Sequence, residues 1–114
     1  MLKDILEPDW KLLRSFHDVM LELCSKRNND VIRGILSDQS MSEYDRYLAV
    51  YRKVESQDKI VAECFNDWCR SRALIIILAL RHFKLMSDDQ FALLSEETRA
   101  FVNSFETFNK AKFQ

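Results

Sequence analysis

Three cysteines, two histidines and a band of arginines are the side chains of this 114-residue chain best equipped for chemistry. Metal binding needs three or four ligands that converge. Cys64 and Cys69 point to different sides of any helix that carries both, and His17 with Cys24 shares a face but makes only half a site. A di-metal carboxylate bundle wants a glutamate three residues before each histidine, and Arg14 and Ala79 stand there instead. Nucleophilic catalysis could use Cys64 or Cys69 with a histidine base, but only Arg70 stands near to activate a thiol, and cysteine is among the residues that most often fill a core. Glu63 and Asp67 have the spacing of paired carboxylates on one helix turn, a pattern that usually faces water. No catalytic residue, metal or cofactor is therefore expected.

Two groups of charges remain. Arg70, Arg72, Arg81, His82 and Lys84, with Trp68 and Phe83 among them, could receive an anion or an acidic partner, or could complement the acids Asp88, Asp89, Glu96 and Glu97. Asp58 and Arg72 are equally spaced about Phe65, so two copies of one helix crossing antiparallel at Phe65 would pair each Asp58 with the other Arg72.

The element that would position these groups is read from a seam. Tyr47, Tyr51, Val54, Asp58, Val61, Phe65, Trp68, Arg72, Ile75 and Ala79 alternate spacings of four and three, and all but Asp58 and Arg72 are apolar or aromatic. Such a period marks one face of a helix packed lengthwise on another helix. It predicts one long central helix over about residues 42–84, longer than a domain of this size can cover by itself.

Composition sets the frame around that helix. A single glycine, Gly34, and a single proline, Pro8, argue against sheets and hairpins, which draw on glycine for positive φ. Hydrophobic residues at 47% and charged residues at 31% describe an ordinary globular chain. The formal net charge of −1 lacks the basic footprint of a nucleic-acid binder. An odd number of cysteines and no leader pattern predict reduced thiols and a cytoplasmic protein. The longest apolar run, residues 73–80, is far short of the roughly 20 residues of a membrane-spanning helix.

Other elements follow from local signals. A first helix opens at Pro8 or Asp9, turns Trp10, Leu13, Phe16, Met20, Leu23 and Cys24 to one side, and continues or kinks through the polar residues 25–30. Residues 37–41 form a break, after which Ser40 with Glu43, or Ser42 with Asp45, caps the next helix. Residues 55–59 are the weakest point of the long helix. Residues 73–80 are apolar on every face and must be enclosed. Ser87 with Gln90 caps a short helix, and Ser95 with Glu96 and Glu97 starts another.

Asp67, Trp68, Cys69, Arg70 and Ser71, the apolar run that follows, and Leu85 to Leu94 together resemble the second half of the fluorescence recovery protein family. Members of that family are small, all-helical, dimeric proteins that bind a carotenoid photoprotective protein. Residues 59–66 differ from the basic, glycine-containing lead-in of that family, and the N-terminal half does not align with it. The resemblance implies a non-enzymatic, dimeric, partner-binding protein.

The expectation from sequence is a single all-α domain over residues 1–114, a bundle of four or five helices. It is a non-enzymatic interaction or regulatory module that forms a homodimer and binds another protein. Its interface residues are Tyr47, Tyr51, Val54, Asp58, Phe65, Trp68 and Arg72, with aromatic residues as the stronger anchors. The rival reading is a small helical ligand-binding protein or enzyme with a pocket near Cys64, Trp68 and His82.

Overall fold

A computed structural model describes residues 4–113, with side chains to residue 108, and shows five α-helices and no strand among them. Helix α1 spans Glu7–Leu36. It opens at Glu7, with Pro8 in its first turn where the missing N–H costs nothing, and it runs through residues 25–30 without a break. Its buried residues Asp9, Leu13, Met20 and Cys24 recur at helical spacing, and no residue from 25 to 63 is buried.

The turn after α1 is held by side chains instead of glycine. Asp38 accepts from the Ser40 backbone N–H at 2.9 Å and from the Ser40 hydroxyl at 2.6 Å. Arg46 donates to the carbonyls of Asp38 and Met41 at 2.6 and 2.7 Å and pairs with Glu43. Ser42 is the cap of α2, Glu43–Phe65, and accepts from the Asp45 N–H at 3.1 Å. Ser40 is thus committed to the turn, and the second of the two capping pairs is the one formed.

The long helix expected over residues 42–84 is not continuous. Helix α2 ends at Phe65, Asn66 is extended, and Asp67 takes the left-handed conformation at φ 56°. A short 3₁₀ turn, Arg70–Arg72, leads into α3, Ala73–His82. Residues 55–59 lie inside α2. Two causes act together at the break. Asn and Asp enter the left-handed region at least cost among non-glycine residues. Residues 73–80 must also leave the line of α2 to be surrounded, and in α3 Ala73, Leu74, Ile76, Ile77, Ala79 and Leu80 are buried while Ile75 stays exposed.

After α3 the chain reverses at Lys84, φ 57°. The Leu85 N–H bonds the Leu80 carbonyl at 2.8 Å and the Lys84 N–H bonds that of Arg81 at 3.1 Å, the Schellman closure, with lysine where glycine usually stands. Ser87 and Gln90 cap each other at the start of α4, Asp88–Ala92, as their spacing predicts. Helix α5 spans Glu96–Phe113, and the Asp9 carboxylate of α1 holds its start.

The core is built around α3. Leu13, Met20, Cys64, Leu85, Phe91, Leu94 and Val102 pack about it from α1, α2, the reversal, α4, the turn after α4 and α5. The rest of α1 and α2 forms an antiparallel hairpin that projects as an arm. Dimensions of 52 × 34 × 25 Å and a radius of gyration of 17.1 Å describe this shape. A compact domain of this length would have a radius near 13 Å.

Candidate interaction surface

Beyond Ile60 and Val61, which pack on the core, and Arg27, which donates to the Phe83 carbonyl, the two helices of the arm pack on each other. Ile32 and Ile35 of α1 and Leu48, Ala49 and Val50 of α2 are half-buried, and Gln57 donates to the Asn28 carbonyl at 3.1 Å. The remaining faces of α2 meet solvent. Tyr44, Tyr47, Tyr51 and Val54, spaced three and four apart, are 68, 68, 56 and 46% exposed. Asp58 lies next along the same face and is exposed. Val31 and Leu36 add exposed apolar surface on α1. Scattered apolar residues at a surface are ordinary, and tyrosine is among the residue types enriched where proteins meet.

Of the seven residues expected at the interface, Tyr47, Tyr51, Val54 and Asp58 share this face. Phe65, one heptad beyond Asp58 at the end of α2, is half-buried against His17 and Trp68, and Trp68 and Arg72 lie beyond the helix. Trp68 donates its indole N–H to the Cys64 carbonyl at 2.7 Å and joins a half-buried cluster with Trp10, His17 and Phe65, the His17 ring standing edge-on to it at 4.6 Å. Arg72 donates to the carbonyls of Asn66 and Asp67 at 3.2 and 3.1 Å and so stabilises the turn that breaks the helix. Asp58 and Arg72 therefore do not stand on the one continuous helix that a crossing at Phe65 requires. Tyr44 was not among the expected residues. It stands three before Tyr47 and extends the same spacing.

The residues of the rival pocket each have other surroundings. Cys64 is fully buried, and burial, with Cys24 and Glu63 adding to it, pushes its thiol up to about 11. Burial likewise raises Cys24, whose sulfur receives a weak bond from Asn28 at 3.8 Å. Cys69 is exposed, with Ser71 at 3.3 Å. His82 is exposed at the end of α3 and packs on Phe83. An apolar cavity of about 160 Å³ lies elsewhere, between Ile5, Leu74, Thr98 and Phe101. Glu63 is in α2 and Asp67 beyond its end, so they do not form a pair on one helix turn.

The arginine band is dispersed into internal contacts. Arg70 donates to the Ile5 carbonyl at 2.8 Å and pairs with Glu7 at 2.9 Å. Arg81 lies over the Phe91 ring at 3.9 Å, pairs with Glu106 at 3.2 Å and reaches Asp88 at 3.7 Å. Among the described residues no group of three His, Cys, Asp or Glu side chains stands together to hold a metal, and no helix is long and apolar enough to cross a membrane.

Fold and surface together define an all-α bundle with a projecting, tyrosine-faced helical hairpin. No family model, curated protein or solved structure matches the chain. The likeness of residues 67–94 to the fluorescence recovery protein family stands on those residues alone.

Proposed function

We propose that this chain is a non-enzymatic protein-interaction or regulatory module of the cytoplasm, which self-associates through the outer face of α2 and binds another protein as a helical homodimer. The observation that carries the reading is the arm itself, an apolar-faced hairpin with no buried residue from 25 to 63. Aromatic side chains bury roughly 150–250 Å² each when covered, at about 25 cal/mol per Å², so sheltering three half-exposed tyrosines stabilises an assembly by several kcal/mol before the cost of association. Arg70, Arg72 and Arg81, the arginines of the expected basic cluster, are engaged in contacts within the chain, and this favours protein as the partner.

The test is a Tyr47→Ser/Tyr51→Ser variant compared with the wild type by chemical cross-linking and circular dichroism. Loss of the cross-linked dimer with unchanged helicity supports the reading. An identical cross-linking pattern in both proteins overturns it.

A further inference from the structure

The edge of α2 beside the tyrosine face carries a charge order that matches itself when reversed. Asp45, Arg52 and Lys59 are one heptad apart and line a single edge of the helix, with Glu55 beside them between Arg52 and Lys59. The order along the edge is negative, positive, negative, positive. All four are exposed, and none pairs with another described residue, although Glu55 and Lys59 have the spacing of an intrahelical ion pair.

We infer that the occupant of this face is a second copy of the chain, docked antiparallel about a two-fold axis near Arg52, with each Arg52 beside the partner's Glu55 and each Asp45 beside the partner's Lys59. The inference rests on the reading of α2 as an interface and gives that interface its partner and register. A two-fold axis perpendicular to α2 keeps the same edge on the same side in both copies, so the edge meets itself running backwards. About an axis at Arg52, reversal of this order sets each Asp45 against the partner's Lys59. Arg52 lies closest to the axis, where its own copy would repel it. The partner's Glu55, within one helix turn, relieves that repulsion. The same axis brings Tyr44 within a helix turn of the partner's Asp58 and lays Tyr51 beside the partner's Tyr51 and Val54. A parallel two-fold would put this edge on opposite sides of the pair and gain none of these contacts.

Sedimentation velocity of R52E, E55R and an equimolar mixture of the two tests the register. Each variant alone puts like charges at both central pairs and weakens self-association by roughly tenfold or more. In the mixture every central pair is again opposite, so a heterodimer of wild-type affinity is expected. Both sites are exposed positions in the middle of α2, and unchanged circular dichroism verifies the fold. Self-association of both variants at wild-type strength, or no recovery on mixing, overturns the register while leaving the interface reading intact. A wild type that is monomeric throughout overturns both.

Discussion

The buried carboxylate of Asp9, in the first turn of α1, accepts hydrogen bonds from the backbone N–H and the hydroxyl of Ser95, at 2.8 and 2.6 Å, and from the Thr98 hydroxyl at 2.6 Å. Two chain segments far apart in sequence are joined there at the N-terminus of α5, where the helix dipole favours a negative charge. Burial raises the Asp9 carboxyl, but the Ser95 and Thr98 bonds outweigh it and hold the group below the ordinary carboxylate range.

Asp9→Asn is expected to destabilise the fold by about 2 kcal/mol at neutral pH, because the amide sets a donor against Ser95 and Thr98. The pH dependence follows from the sign of the shift. A carboxyl whose folded value is depressed contributes stability that is complete above its unfolded value, near 3.9, and is lost as pH falls through the folded value. Urea unfolding of wild type and variant should therefore differ most near pH 7 and converge in acid. A constant difference down to the acid limit would contradict the ionised tether.

Lys84 holds the left-handed position of a Schellman closure, a conformation that costs a residue with a Cβ roughly 1 kcal/mol. Thermal unfolding should rank Lys84→Gly above wild type and wild type above Lys84→Val, since β-branching adds to the strain. Equal midpoints in all three would mean that the reversal does not depend on that residue.

Leu80 is fully buried in α3 at the centre of the bundle. Leu80→Ala should cost about 2–5 kcal/mol in denaturant unfolding, whereas Tyr47→Ser, on the exposed face of the arm, should change the stability of the monomer by less than about 0.5 kcal/mol. Comparable losses at both positions would show that the arm is part of the core.

Among the three cysteines, Cys69 is exposed and Cys24 and Cys64 are buried with raised thiols. A thiol-reactive dye at neutral pH should label Cys69 alone in the native protein, leave Cys69→Ser unlabelled, and reach the other two only after unfolding. Rapid labelling of all three in the folded state would contradict the packing around Cys64.

Local signals in the sequence locate much of this fold. Ser42, Ser87 with Gln90, and Ser95 start helices where their spacing predicts, because a cap is satisfied by its own neighbours. The uniform apolarity of residues 73–80 foretells their enclosure for a similar reason, since no exposed face could bear it. The break after Phe65 is hidden because the residues around it serve other purposes at the same spacing. Trp68 keeps the seam apolar while packing on His17 and Trp10 outside any helix, and Arg72 is an exception to the seam because it binds the carbonyls of the turn. For the candidate surface, Tyr47, Tyr51, Val54 and Asp58 are legible from periodicity. Periodicity does not say which part of a seam other helices cover, and so Phe65 and Trp68 read alike with Tyr51 until the chain folds back.

The central claim is that the tyrosine face of α2 is an interface, and sedimentation equilibrium of the wild type from micromolar to millimolar concentration tests it most directly. A mass rising from the 13.6 kDa of one chain toward twice that value is the expected result. A single species at the monomer mass across the whole range would contradict it.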